Sequence, residues 1–135
     1  GHACKGRKIK IPKPVDYDTL GVCFHEIGHI ILGDLDGENI KPRYVEEFEA
    51  EMFAILKLQE YGYYNKRYEL RAKAYVLFKI AQAKNRGHNM KKVPKIIVDW
   101  TRLQINRWNK AKKVFVHYGS KKTEQEVQKA IKLYF

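Results

Sequence analysis

Leu20-Gly-Val-Cys-Phe-His-Glu-Ile-Gly-His-Ile-Ile-Leu32 is the stretch of this chain from which the fold is best predicted. It predicts a helix that begins with Asp18 or Thr19 as its cap and is followed by Gly33 as a left-handed cap. On such a helix, residues four apart lie on the same face. His25 and His29 can therefore direct a ring nitrogen at one metal ion. Glu26 lies about 100° further round the axis, where it is poorly placed as a third ligand but well placed to act as a general base on a water at the metal.

Both sides of this helix carry apolar residues. One face holds Leu20, Phe24, Ile27 and Ile31, and Leu32 lies with the histidines on the opposite face. The alternative, a solvated His/Glu face without a metal, fits poorly with so apolar a sequence. Two buried histidines need a polar partner, and a metal ion provides one. We therefore predict a metal site.

A zinc site needs one more protein ligand besides the two histidines. The second predicted helix, over 44–58, offers four glutamates: Glu46, Glu47, Glu49 and Glu51. With Val45 at zero and 100° per residue, Glu49 falls at about 40°, inside the apolar stripe, whereas Glu47 and Glu51 fall at about 200° and 240°. The stripe is centred near zero and consists of Val45, Phe48, Met52, Phe53, Ile55 and Leu56. We expect Glu49 to be the third ligand, because a carboxylate in an apolar face needs a cation. The alternative is that Glu49 pairs with a Lys or Arg at the edge of the core.

His25-Glu-Ile-Gly-His-Ile-Ile-Leu32 followed by Glu46-Glu-Phe-Glu-Ala-Glu-Met-Phe-Ala54 resembles the ImmA/IrrE-type metallopeptidases. Their HE(L/I)GH run is followed by an E-A-x-x-F-A helix, whose first Glu completes the zinc site and corresponds here to Glu49. The resemblance covers roughly residues 19–56. It implies a minimal, zincin-like (gluzincin-like) protease with Glu26 as general base. The chain departs from the family at Glu51, where the family usually has Asn. The chain also resembles anti-restriction type C proteins, whose protease half has HExxH before a Glu-rich helix.

Charge is divided unevenly along the chain, whose net charge is +12. Residues 1–60 hold 8 Lys/Arg against 11 Asp/Glu, and residues 61–135 hold 19 against 4. This asymmetry favours a nucleic acid or an acidic protein as partner of the second half, unless the lysines only form solvated helix faces. Trp100 and Trp108 are either core residues or part of a stacking and phosphate-binding surface. Its candidate cations are Arg102, Arg107, Lys110, Lys112 and Lys113.

The periodicity predicts an α+β fold dominated by helices, with about five helices and a small sheet or edge strand. Lys8–Ile11 alternates like a strand. A third helix is expected from Asn65 to about Asn85, a fourth from around Pro94 to Gly119, and a fifth from the capping box at Thr123. We expect one domain over 1–135, with a metal-site half (1–60) and a basic helical half (61–135).

The function expected from these features is a zinc-dependent metallo-endopeptidase acting on a protein substrate, for which a regulator of a phage or mobile element is one candidate. Zn²⁺ suits two His and one Glu best, although manganese is an alternative. Candidate oxyanion donors are His117, Tyr75 and Tyr118. Two alternatives remain. One is a basic nucleic-acid-binding or anti-restriction module with a zincin-like site, and the other is a metal-free helical interaction protein.

The expected location is the cytoplasm, or the host cytoplasm if the gene belongs to a phage. No segment reaches the ~18 apolar residues that span a bilayer, and the N-terminus lacks the hydrophobic region of a signal peptide. We therefore expect no membrane partner.

Overall fold

A computed structural model describes residues 2–4, 8–11, 13–33 and 41–102 of the chain. The described residues contain four α-helices, which agrees with the prediction of a fold dominated by helices. The fifth predicted helix and most of the fourth lie outside them. The chain divides into two compact units, Gly1–Tyr68 and Glu69–Phe135.

The first unit contains two short strands and two helices that carry the candidate site. Strands β1 (His2–Cys4) and β2 (Lys8–Lys10) pair antiparallel, with Ala3 opposite Ile9. Helix α1 spans Tyr17–Ile31 and helix α2 spans Arg43–Glu60. The two HExxH histidines therefore lie in the second half of α1.

Helix α1 begins with a capping box. The side chain of Asp16 accepts a hydrogen bond from the backbone N–H of Thr19 at 2.7 Å, and the Thr19 hydroxyl accepts one from the backbone N–H of Asp16 at 3.1 Å. The cap is thus Asp16 rather than the expected Asp18 or Thr19, because this reciprocal pair satisfies two N–H groups at once. At the other end, Gly33 has φ 72°, which confirms the predicted left-handed cap.

Helix α2 buries a face that coincides only in part with the predicted apolar stripe. Ala50, Ala54 and Leu58 are completely buried, whereas Leu56 from the apolar stripe is 57% exposed. Alanine side chains let a neighbouring helix approach closely. On α1 the close contact is at Gly28, where an added Cβ would lie 3.0 Å from the Phe53 ring.

A second close approach in this unit joins α1 to Tyr68. The Tyr68 hydroxyl donates a hydrogen bond to the carbonyl of Gly21 at 3.1 Å, and a Cβ added at position 21 would overlap its ring. Two aromatic pairs lie along the same helix. Tyr17 stacks on Tyr63, with ring centroids 5.2 Å apart, and Phe24 stacks on Tyr61 at 5.8 Å.

Helices α3 (Lys66–Asn85) and α4 (Lys95–Thr101) follow, separated by a short 3₁₀ helix at Met90–Lys92. The predicted third helix, from Asn65 to about Asn85, is confirmed. The buried side chains of the second unit include Ala72, Val76, Leu77, Ile80 and Ile97. Among the described helices, none is long and apolar enough to cross a membrane.

Candidate metal centre

Three side-chain atoms, two from α1 and one from α2, lie close together. The Nε2 atoms of His25 and His29 lie 3.0 Å apart, and Oε2 of Glu47 lies 2.9 Å from the first and 3.3 Å from the second. Since the two histidines are one helical turn apart, their rings come together as the sequence spacing predicts. The pairing of His25 with His29 is therefore confirmed as geometry.

Charged groups surround these three atoms on two sides. Nδ1 of His25 lies 2.6 Å from Oε1 of Glu51, one turn beyond Glu47 on α2. Nε of Arg43 lies 3.1 Å from the other oxygen of Glu47. Each of the two glutamates thus meets His25 at a different ring nitrogen. A histidine held by a carboxylate on one nitrogen presents the other in a fixed direction, which is the usual arrangement behind metal-bound imidazoles.

Burial and charge act against each other in this cluster. His25, His29, Glu47 and Glu51 are all buried. Burial alone would lower the pKa of His25, but the charges of Glu51 and Glu47 and their hydrogen bonds outweigh it and raise the pKa to about 10. Burial would likewise raise the pKa of Glu47, but hydrogen bonds to both histidines hold it well below its usual value. The two carboxylates therefore call for a cation, either a proton on His25 or a metal ion.

The carboxylate that meets the two histidines is that of Glu47, and not that of Glu49, the expected third ligand. Glu49 instead pairs with Lys41, with Nζ and Oε2 2.9 Å apart and both side chains 29% exposed. This is the alternative left open by the sequence, a pair with a lysine at the edge of the core. The physical reason is that α2 buries Ala50, Ala54 and Leu58, which lie at about 140–220° on the wheel, together with Glu47.

A different sequence signal points to Glu47. Glu47-x-x-x-Glu51 places two carboxylates one turn apart, on the same face as Ala50 and Ala54. Small residues mark the face of a helix that approaches another helix closely. Carboxylates on such a face have no access to water and need a polar partner, which the histidines of α1 provide.

Glu26, the expected general base, is buried on α1 with 6% of its surface exposed. It is not one of the three residues whose ligand atoms converge. Within the described part of the chain, the side chain of Glu26 forms no hydrogen bond or ion pair. Its carboxylate thus remains available for a role other than holding the cluster together.

The donor set fits a small divalent metal ion. Ligands bound to tetrahedral zinc at 2.0–2.2 Å are about 3.3 Å from one another, close to the spacings of 2.9, 3.0 and 3.3 Å between the three atoms here. Two imidazoles and one carboxylate are ordinary zinc ligands. In addition, Oε2 of Glu51 is buried without a hydrogen-bond partner among the described residues. The residues present are thus able to hold a metal ion.

The remaining predicted site residues lie elsewhere. Tyr75 is a half-buried residue of the second unit, and the Lys79 ammonium lies 5.4 Å from its ring centroid. Arg102 is exposed and lies 3.9 Å from Asp99. Trp100 is half-buried, with the Lys73 ammonium 5.6 Å from its ring centroid. The other candidates lie outside the described residues: Arg107, Trp108, Lys110, Lys112, Lys113, His117 and Tyr118.

Comparison with known proteins gives no match. No family model matches the chain, and neither a curated protein nor a solved structure is significantly similar to it.

Proposed function

We propose that this chain is a zinc-dependent metallo-endopeptidase that hydrolyses a peptide bond in a protein substrate. The metal would be held by His25, His29 and Glu47. The observation that carries this proposal is the convergence of three ligand atoms, all within 3.3 Å of one another, beside a buried glutamate that is not part of the set. Three protein ligands suit a catalytic zinc, because one coordination position stays open.

The roles of the protein side chains follow from their positions. A zinc ion at this site would polarise the scissile carbonyl and lower the pKa of water. Glu26 follows the first histidine directly and is buried, so its carboxylate can take a proton from the attacking water and return it to the leaving amine. Glu51 pairs with His25 at Nδ1 and would thereby orient Nε2 toward the metal.

The presence of Glu26 separates a catalytic centre from a structural one. A structural zinc site is closed by four protein ligands and has no need for a base. Here a cluster of three donors has an additional buried carboxylate on the same helix. We therefore favour hydrolysis over a purely structural role for the metal.

The experiment compares wild type with Glu26→Gln, both loaded with zinc, on a library of peptides derived from a proteome. Cleavage sites are read by mass spectrometry, with and without a chelator. We expect the same zinc content in both proteins, and cleavage only by wild type without chelator. Glu26→Gln is a suitable variant because it keeps the size of the side chain and removes only its basicity.

Two results would contradict the proposal. Wild type without stoichiometric zinc, after the metal is added and excess removed, would exclude the metal centre. Equal cleavage by wild type and Glu26→Gln would exclude Glu26 as the base.

A second candidate function, nucleic-acid binding, is favoured by one observation in the second unit. Residues 70–98 contain no Asp or Glu. Within 84–95 the structure describes five exposed cations: Lys84, Arg86, Lys91, Lys92 and Lys95. A cationic surface without acidic residues is suited to the phosphates of a nucleic acid.

The test of this second function is the salt dependence of binding to a labelled DNA duplex, measured by fluorescence anisotropy. Replacing Lys91, Lys92 and Lys95 by Gln removes three cations, which should reduce the slope of log K against log salt by about 2.7. The control replaces Lys10 and Lys13, exposed lysines of the first unit, by Gln. Equal slopes for wild type and the triple variant would exclude this surface. Glu26→Gln should bind DNA like wild type.

A further inference from the structure

The carboxylate of Glu47 is divided between two partners. Its Oε2 lies 2.9 Å and 3.3 Å from the Nε2 atoms of the two histidines, whereas its Oε1 lies 3.1 Å from Nε of Arg43. The side chain of Glu47 is only 1% exposed, while that of Arg43 is 57% exposed. A cation at the surface therefore reaches a buried carboxylate and holds the oxygen that faces away from the histidines.

Stabilisation of α2 explains this ion pair poorly. Arg43 is the first residue of α2, where the helix dipole disfavours a positive charge. The order Arg before Glu at i,i+4 is also the less favourable one for an ion pair within a helix. Arg43 further pairs with Glu46, at 3.2 Å. Both partners of Arg43 are buried carboxylates, so the guanidinium meets charge inside the fold rather than charge on the helix surface.

The state of Glu47 decides how many coordination positions a metal ion would have left. A carboxylate with both oxygens free can bind a metal through both of them. With Oε1 held by Arg43, only Oε2 faces the histidines, and the protein supplies three donor atoms. Three protein donors with one open position distinguish a catalytic zinc site from a closed one.

We propose that Arg43 is a positioning residue of the metal centre, which keeps Glu47 a ligand through one oxygen and so keeps a coordination position open. This inference rests on the proposed metal site. A guanidinium suits the role because its planar array of N–H donors fixes the orientation of a carboxylate, which the point charge of a lysine does less well.

The test uses Arg43→Gln and Arg43→Lys, with Lys41→Gln as matched control. Lys41→Gln removes a cation two residues before Arg43. The partner of Lys41 is Glu49, which lies outside the cluster. A second control, Glu46→Gln, removes the other partner of Arg43. The zinc Kd of each variant is measured by competition with a chromophoric chelator. The visible spectrum is recorded with Co²⁺ in place of zinc, and the Tm is measured on the metal-free protein.

We expect Arg43→Gln to weaken zinc binding by about 10- to 100-fold, as is typical for residues that orient a ligand. We also expect weaker visible bands for its Co²⁺ form, because a second carboxylate oxygen raises the coordination number. Arg43→Lys should recover part of the affinity, and both controls should match wild type.

The inference is overturned if Arg43→Gln has the zinc Kd and the Co²⁺ spectrum of wild type, whatever its Tm. That result would leave the metal site intact and reduce Arg43 to a helix residue. If wild type itself binds no zinc, the proposed metal site fails together with the inference about Arg43. Zinc binding by wild type therefore distinguishes a failure of this inference from a failure of the proposed function. Should Arg43→Gln not fold, Arg43→Lys decides, since wild-type Kd and spectrum with Lys would show that the guanidinium fork is not needed.

Discussion

His25 and Glu51 are joined through the ring nitrogen that faces away from the other metal-ligand candidates: Nδ1 lies 2.6 Å from Oε1. This ion pair lies on one side of the His25 ring, while Nε2 on the other side points to His29 and Glu47. The negative charge of Glu51 also makes the imidazole a stronger donor to a cation. The face of α2 that carries Glu47 and Glu51 therefore matters as much to the site as the HExxH run itself.

Glu51→Gln tests the role of this charge. The amide keeps an oxygen that can accept a hydrogen bond from Nδ1–H but has no negative charge, so zinc affinity should fall by about 10- to 100-fold. In the metal-free protein the pKa of His25 should drop from its raised value of about 10. Both are measurable, the first by chelator competition and the second by an NMR titration of the His25 ring. An unchanged pKa and Kd would show that Glu51 does not orient His25.

Glu47→Ala and Glu49→Ala distinguish the two candidate third ligands. The loss of Glu47 should weaken zinc binding more than the roughly 10- to 100-fold typical of residues that only orient ligands. Glu49→Ala only breaks the half-exposed pair with Lys41 and should bind like wild type. Metal content after gel filtration, measured by elemental mass spectrometry, checks both. If Glu49→Ala lost zinc and Glu47→Ala kept it, Glu49 and not Glu47 would be the third ligand.

Zinc binding should become tighter as the pH rises. The folded metal-free protein keeps a proton on His25, with a pKa of about 10 against an ordinary value of 6.5. A metal at Nε2 displaces this proton, so affinity should rise about tenfold per pH unit below that pKa, with about one proton released. Calorimetry in two buffers of different ionisation enthalpy counts the protons. Binding independent of pH would mean that His25 is already neutral.

The stability of the metal-free protein should depend on pH in the opposite sense. Because the pKa of His25 is raised on folding, its stabilising contribution is fully present below pH 6.5 and is lost as the pH rises through about 10. The lowered pKa of Glu47 stabilises the fold above pH 4.5, its ordinary pKa, and this is lost in acid. The Tm should therefore fall from about pH 6.5 upward without metal. The Tm of His25→Ala should not show this fall. If its Tm fell as much as that of wild type, the pH dependence would come from other groups.

Gly21→Ala should destabilise the first unit, because the added methyl group meets the Tyr68 ring. We expect a loss of about 1–3 kcal/mol in the free energy of unfolding, measured by urea denaturation. In a Tyr68→Ala background the same substitution should cost much less, since the ring is gone. Equal costs in both backgrounds would locate the strain elsewhere.

The sequence predicts what is local and misses what depends on a partner. The bounds of α3 and the cap at Gly33 follow from nearby residues, and so does the pairing of His25 with His29. The carboxylate that meets the histidines does not, because the wheel assumes that α2 buries its apolar stripe. In the structure the side that meets the histidines carries Ala50, Ala54 and two carboxylates, and which side of a helix is buried depends on what its neighbour presents.

The contact between Gly21 and Tyr68 has a consequence for recognising relatives of this chain. Position 21 has no room for a side chain as long as an aromatic ring occupies position 68, so the two positions should change together during evolution. HExxH is short enough to arise by chance, but a glycine four residues before it, coupled to an aromatic residue 47 positions further on, is a far more selective signature. Such a pair would identify chains with the same arrangement even where the two histidines have been lost.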